Sequence, residues 1–102
     1  MSYENISPSK FKEFMKDANS VVLDVRTPEE EVEGTIPGSV LININDPSFP
    51  SEIEKLDKSK TYLVYCRSGN RSGKACGYMG SKGFDSLYNL DGGIRAWNEA
   101  ER

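Results

Sequence analysis

The sequence contains no histidine, and this absence removes several kinds of site at once. Imidazole activates cysteine and serine nucleophiles in many enzymes, and it is the commonest side-chain ligand of transition metals. We therefore expect no Cys-His mechanism, no metal ion and no other cofactor. The two cysteines are also too few for a disulfide framework.

An excess of charge and a long apolar run are lacking as well. The 13 basic and 16 acidic residues give a net charge of −3 without a basic stripe, so nucleic acid is not an expected partner. The longest uncharged run, residues 34–45, is shorter than the roughly 20 apolar residues of a membrane helix, and no signal peptide is recognisable. We expect one domain, residues 1–102, that is cytoplasmic, monomeric and free of membrane partners.

Strand-like and helix-like segments alternate along the chain. The alternation predicts an α/β protein, a three-layer sandwich in which a central, mostly parallel sheet of about five strands carries helices on both faces. The predicted strands are residues 3–6, 21–25, 39–44, 62–65 and 85–90, which are rich in β-branched and aromatic side chains. Helices are predicted after Ser7-Pro8, from Pro28, over 51–56, after Ser72 as a cap, and after Gly93, with a loop over 45–50.

Cys66 follows the apolar strand 62–65 and opens a short polar loop that leads into a helix. At such a junction several backbone amides can converge on one point, and the first turn of the helix carries partial positive charge. A cysteine there should have a lowered pKa, and Arg67 and Arg71 should lower it further. We therefore interpret Cys66 as a thiolate nucleophile above an anion-binding loop. The loop residues are Arg67, Ser68, Gly69, Asn70, Arg71 and Ser72.

Both cysteines also have a structural interpretation, as small buried side chains. Polar residues follow Cys66, which favours catalysis there. Cys76 shares an apolar helical face with Ala75 and Met79, which favours a buried structural thiol over a resolving thiol. Ligands of open α/β sheets bind beyond the carboxyl ends of the strands, so Asp24 and Arg26, at the end of strand 21–25, are expected near the Cys66 loop.

Five stretches together give this chain a family resemblance. They are Asp24-Val25-Arg26, Glu30, residues 34–38 (GTIPG), residues 66–72 (CRSGNRS), and residues 90–93 (LDGG) with Trp97. The chain resembles a single-domain rhodanese, a thiosulfate sulfurtransferase. The resemblance implies that Cys66 carries sulfur as a persulfide and that the loop from Arg67 to Ser72 holds a small anionic sulfur donor. It also implies cyanide, a thiol or a protein as the acceptor.

The resemblance further assigns supporting roles. Asp24 and Arg26 match a charged pair that ties the base of the loop to the sheet. Arg67 would attract the anionic donor. Arg71 would either meet the donor or, as we favour, turn inward to pair with Glu30 or Asp24.

Two other functions are open to the same fold. Phosphatases and arsenate reductases that resemble this family have five residues between cysteine and arginine, which widens the loop for a tetrahedral oxyanion. Only four residues separate Cys66 from Arg71, which favours sulfur. Non-catalytic binding modules of the family commonly lack the cysteine, which this chain keeps.

Overall fold

Five parallel strands form the centre of the structure, a computed structural model that describes residues 3–102. Their order across the sheet is β1-β5-β4-β2-β3, and each neighbouring pair is parallel. The strands are β1 (Glu4–Ile6), β2 (Ser20–Asp24), β3 (Val40–Leu41), β4 (Thr61–Tyr65) and β5 (Ser86–Leu90). The predicted parallel sheet of five strands is confirmed. Residues 1 and 2 of the predicted domain lie outside the described range.

The helices lie on both faces of this sheet. They are α1 (Pro8–Phe14), α2 (Pro28–Glu31), α3 (Phe49–Glu54), α4 (Asn70–Ser81) and α5 (Gly93–Ala100). The first and last helices share one apolar cluster, where the rings of Phe11 and Trp97 meet edge to face at 6.0 Å. The other cluster contains side chains of α3 and α4. The three-layer α/β sandwich is thereby confirmed. No helix within residues 3–102 is long and apolar enough to cross a membrane.

The alternation of side chains along β4 decides which way Cys66 points. Tyr62 and Val64 belong to the cluster under α3 and α4, whereas Leu63 and Tyr65 belong to the cluster under α1 and α5. Because successive side chains of a strand face opposite sides, the next residue, Cys66, lies on the α4 side. Cys66 is indeed part of that cluster. The strand therefore delivers the thiol to the N-terminus of α4.

Three segments differ from the sequence prediction. Only Val40–Leu41 of the predicted strand 39–44 form β3, in register with Leu23 and Asp24, although the Ile42 and Ile44 amides donate to the Asp24 and Val25 carbonyls. Helix α3 begins at Phe49, inside the predicted loop 45–50, because Pro50 sits in its first turn, where a missing N–H costs nothing.

The start of α4 is the third difference. Ser72 was predicted as the N-cap, but the helix begins at Asn70 and Gly69 is its N-cap. Gly69 has φ +105°, a backbone conformation that glycine adopts without a Cβ clash. The chain therefore turns into the helix earlier, and the Ser72 side chain lies inside the first turn, buried against the sheet.

Candidate functional site

The Cys66 sulfur lies at the base of the loop, within hydrogen-bond distance of one backbone amide and one side-chain hydroxyl. The Gly69 N–H donates to Sγ at 3.1 Å, and the Ser72 hydroxyl lies 3.3 Å from it. The residue is only 1% exposed. The predicted converging donors are therefore present around this thiol.

These donors outweigh the effect of burial on the thiol. Burial raises the pKa of Cys66, whereas hydrogen bonds from the Ser72 hydroxyl and from the backbone amides of Ser72, Gly69 and Ser68 lower it. The result is a pKa below the ordinary value of a cysteine. Thiolate is the nucleophilic form of cysteine, so the geometry favours a reactive sulfur.

The N-terminus of α5 fixes the orientation of the loop. Its Ile94 N–H donates to the Cys66 carbonyl at 2.9 Å, and its Arg95 N–H donates to the Arg67 carbonyl at 3.3 Å. The N–H of a trans peptide points away from its C=O, so a carbonyl held outward turns the Ser68 amide inward, toward the sulfur. The free amides of the first turn of α5 thus orient the donors of the loop.

Gly93 permits this close approach of helix and loop. A Cβ at this position would lie 2.3 Å from the Arg67 carbonyl oxygen, and the residue has φ +63°. Any larger residue would push the loop away or distort the helix start. The sequence resemblance included this glycine, but its contact with the loop could not be inferred from the sequence.

Ser72 and Asn89 form a buried polar pair beside the sulfur. The Ser72 hydroxyl contacts the Asn89 side-chain oxygen as well as Sγ. The Asn89 Nδ2 group donates to the Asn5 side-chain oxygen at 2.9 Å and to the Gly69 carbonyl at 3.1 Å. Sequence analysis missed Asn89. Its signal was a polar residue two positions after Leu87, on the face of β5 that points toward α4.

Asp24 and Arg26 form a buried ion pair on the opposite face of the sheet. The guanidinium donates to both carboxylate oxygens, at 2.9 and 2.7 Å, and its remaining donors reach the Glu30 and Gly34 carbonyls. The Tyr65 hydroxyl donates to Asp24 at 2.8 Å. The hydrogen bond with Asp24 raises the pKa of Arg26. This network ties β2 and β4 to the loop after α2.

Glu30 pairs with Arg71 across the rim of the site. Two guanidinium nitrogens of Arg71 donate to the Glu30 carboxylate, at 2.7 and 2.9 Å. The hydrogen bond from Arg71 is the main reason that the pKa of Glu30 falls to about 2. The hydrogen bond to Glu30 is the main cause of the raised pKa of Arg71, and attraction to the Cys66 charge makes a smaller contribution. Arg71 therefore turns toward one of the two carboxylates expected from the sequence.

Arg67 lies on the outer side of the loop with a largely exposed side chain. Its Nη1 atom is 3.9 Å from Glu33, in a pair in which both side chains are more than half exposed, so this contact constrains it little. Arg67 and Arg95 line a cavity of about 150 Å³ together with Glu33. Arg95 is a second cationic residue in the lining of this cavity, and the sequence analysis did not identify it.

A larger groove lies on the other side of the loop. It has a volume of about 480 Å³ and is lined by Ser68, Gly69 and Asn70 of the loop and by Lys74, among others. Among the six loop residues predicted from the sequence, Ser68, Gly69 and Ser72 direct donors at Cys66 Sγ. The Ser68 amide faces the sulfur, while Asn70 starts α4.

A family model described as a rhodanese-like domain matches residues 7–100 of the chain. Among curated proteins, a candidate sulfurtransferase of Bacillus subtilis, YtwF, is 41% identical, and the match covers 95% of this chain and 92% of that protein. The thiosulfate sulfurtransferase GlpE of Pseudoalteromonas translucida is 33% identical, with 98% and 93% covered.

Solved structures agree with these matches. The crystal structure of a rhodanese-related protein from Thermoplasma volcanium has a TM-score of 0.84 at 33% identity, over 96% of this chain and 93% of that chain. Longer proteins match as well. The tRNA uridine(34) hydroxylase of Pelagibacter ubique is 37% identical, but the chain covers only 30% of its length.

Proposed function

This chain belongs to the rhodanese-like family, and from that premise we propose that it is a single-domain sulfurtransferase that carries sulfur on Cys66. The relatives of similar length that are named sulfurtransferases support the reaction class. The main support for the proposal is the position of the Cys66 sulfur at the end of β4, within hydrogen-bond distance of the Gly69 amide and the Ser72 hydroxyl. The whole of residues 1–102 would form this one domain and act as a monomer in the cytoplasm.

In the first half-reaction the Cys66 thiolate attacks the outer sulfur of thiosulfate or a related donor. A bond forms between Sγ and the transferred sulfur while the sulfur–sulfur bond of the donor breaks, and sulfite leaves with that electron pair. The product is a persulfide on Cys66, and its negative charge lies on the outer sulfur. The amides of the loop from Arg67 to Ser72 would hold this outer sulfur.

In the second half-reaction an acceptor attacks the outer sulfur and Cys66 leaves as thiolate. Cyanide, a small thiol or a protein thiol can serve as the acceptor, and with cyanide the product is thiocyanate. The side chains of Arg67 and Arg95, which line the cavity of about 150 Å³, would attract the anionic donor and the departing sulfite. Arg71, paired with Glu30, would support the loop rather than contact the donor.

The short loop argues against phosphoryl chemistry at this site. Four residues lie between Cys66 and Arg71. The Arg71 guanidinium, which would have to bind the oxygens of a phosphate, donates instead to Glu30. We therefore expect no hydrolysis of an aryl phosphate.

The intact mass of the reduced protein after brief incubation with thiosulfate tests the proposal. We expect a gain of one sulfur atom that cyanide removes. Cys66→Ser should gain none, whereas Cys76→Ser, the matched change at the other cysteine, should gain sulfur like the wild type. A folded wild-type protein that gains no sulfur from thiosulfate or any other sulfane donor, or a Cys66→Ser variant that does gain it, would refute a carrier role for Cys66.

A further inference from the structure

The Ser72 hydroxyl has one hydrogen and two acceptors within reach. It lies against the Asn89 side-chain oxygen and 3.3 Å from Cys66 Sγ. A hydroxyl donates one hydrogen bond at a time, so the two acceptors compete for it. The state of Cys66 decides the competition, because a thiolate is a stronger acceptor than a thiol or a thioether-like sulfur.

The orientation of the Asn89 amide is fixed by its other contacts. The Gly69 carbonyl oxygen can only accept, so the group 3.1 Å from it must be the Asn89 NH₂. The NH₂ also donates to Asn5 at 2.9 Å. The Asn89 oxygen is thereby directed at Ser72. Asn89 is only 5% exposed, so few water molecules can replace it as the acceptor.

We propose that Asn89 is a positioning residue for sulfur transfer: its carboxamide holds the Ser72 hydroxyl hydrogen while Cys66 is a thiol or persulfide and releases it to Sγ when Sγ carries the negative charge. In the thiol state the hydrogen bonds run from Cys66 to Ser72 and from Ser72 to Asn89. In the thiolate state the Ser72 hydroxyl rotates toward Sγ, and the Cys66 proton has left to solvent.

This switch matters most in the second half-reaction, and that consequence rests on the proposed sulfurtransferase function. Negative charge moves from the outer sulfur to Sγ as the acceptor attacks. The Ser72 hydroxyl then breaks its bond to Asn89 and forms one to the leaving thiolate, without transferring a proton. The bond gained to the thiolate is stronger than the bond lost to Asn89, so the exchange stabilises the transition state relative to the persulfide, but by less than a hydroxyl without the Asn89 bond would.

The charged groups around Cys66, Ser72 and Asn89 either pair with other charged residues or line the groove of about 480 Å³. Arg71 is paired with Glu30, and Arg67 is near Glu33. Lys74 of α4 and Asp91 after β5 line the groove on the Asn89 side, and Asp24 and Arg26 pair on the opposite face of the sheet. The hydrogen-bond partners of Asn89 within residues 3–102 are all neutral groups. A response of Asn89 to pH should therefore report the charge on Cys66.

The test is the pH dependence of Cys66 alkylation by iodoacetamide, with the site of modification read by mass spectrometry. Asn89→Leu keeps the size of the side chain but removes the acceptor, and the Gly69 carbonyl keeps its bond from the Gly73 amide. We expect the Cys66 midpoint to fall by about half a unit to one unit in this variant. Ser72→Ala should raise the midpoint by about one unit or more, since it removes a donor to the thiolate.

The double variant, Asn89→Leu with Ser72→Ala, tests whether Asn89 acts on Cys66 through the Ser72 hydroxyl. If Asn89 acts through the Ser72 hydroxyl, Asn89→Leu should have no effect on the midpoint in the Ser72→Ala background. A shift that persists in that background, an upward shift in Asn89→Leu, or no shift at all would overturn the proposal. No sulfur donor is used, so a failure here is distinct from a failure to form a persulfide.

A second measurement needs no variant and covers the case in which Asn89→Leu does not fold. The side-chain amide signals of Asn89 in the NMR spectrum of the wild type should titrate with the same midpoint as Cys66. The exposed Asn19, which precedes β2, serves as the internal control and should not follow that midpoint. Asn89 signals that stay constant through the Cys66 titration would also overturn the proposal.

Discussion

The two cysteines of this protein are equally buried, yet their thiols are shifted in opposite directions. Cys66 is 1% exposed and Cys76 is fully buried, and both belong to the apolar cluster under α3 and α4. The pKa of Cys66 lies below its ordinary value. Burial, together with the negative charge of Cys66, raises the pKa of Cys76 to about 12.

The backbone around each sulfur explains this difference. Cys66 lies where β4 has ended and α4 has not yet formed, so the amides of Ser68 and Gly69 have no carbonyl partner in a strand or helix and can donate to the sulfur. Cys76 lies in the middle of α4, where the amides are used by the helix itself. The presence of uncommitted donors, rather than solvent exposure, therefore distinguishes the reactive thiol from the inert one.

The largest expected effect comes from removing these donors from Cys66 without touching the residues that contact it. Gly93→Ala places a methyl group against the Arg67 carbonyl and should displace the loop. We expect sulfur transfer to fall at least about a hundredfold, since loss of a single oriented donor has this effect in other enzymes. The alkylation midpoint of Cys66 should rise toward that of a buried thiol.

Gly77→Ala is the matched control. A Cβ at this exposed position of α4 meets nothing within 4 Å, so the change should leave activity unaltered and stabilise the helix by about 0.5–1 kcal/mol. A Gly93→Ala variant with normal activity and a normal Cys66 midpoint would show that α5 does not orient the loop.

The next largest expected effect is the difference between the alkylation rates of the two thiols. The pKa of Cys76 is raised from 9.0 to about 12, which reduces its thiolate fraction about a thousandfold near neutral pH. A more basic thiolate is intrinsically more reactive, which offsets part of this difference. We expect iodoacetamide to modify Cys66 at least about thirtyfold faster than Cys76 in the native protein at pH 7. Unfolding in denaturant should make the two rates similar.

Replacing Cys76 tests the other side of the comparison. Cys76→Ala should leave the rate of Cys66 alkylation unchanged, because Cys76 donates no hydrogen bond to the Cys66 sulfur among the contacts within residues 3–102. Modification of Cys76 at a rate close to that of Cys66 in the folded protein would contradict the assignment of an inert thiol.

Local patterns in the sequence were enough to predict the sheet and the position of Cys66. The apolar run at 62–65 and the polar loop after it are features of neighbouring residues, and so is the Ser7 cap, whose side chain accepts from the Lys10 amide. Each of these depends on the preferences of a few adjacent positions. The prediction of Ser72 as a cap failed because Gly69 allows the chain to turn into α4 earlier.

The contacts that tune Cys66 could not be predicted, because they depend on which strands are neighbours. Asn5 meets Asn89 only because β1 pairs with β5, and Asn89 reaches Ser72 only because β5 lies next to β4. The contact of α5 with the Arg67 carbonyl likewise joins elements that are distant in the sequence. A single sequence indicates that Asn89 is an unusual polar residue in a strand, but not which groups it contacts.

Breaking the ion pair between Glu30 and Arg71 should have the smallest effect on the thiols. Glu30→Gln leaves the hydrogen bonds to Cys66 in place, so the Cys66 midpoint should move by less than about half a unit. The variant should instead lose stability. The two side chains are 17% and 28% exposed, so solvent screens the pair in part, and we expect a loss of about 1–2 kcal/mol at pH 7.

The pH dependence of that loss identifies its source. The pKa of Glu30 falls from 4.5 to about 2 on folding, so the pair contributes its full stability above pH 4.5 and loses it as the pH falls toward 2. Urea unfolding of wild type and Glu30→Gln should therefore give free energies that differ most near neutral pH and converge in acid. The exposed Glu29→Gln is the control and should match the wild type throughout. A stability difference that stays constant with pH would show that Glu30 acts through packing rather than through its ion pair with Arg71. A Cys66 midpoint that moves by a full unit would show that Glu30 acts on the thiol.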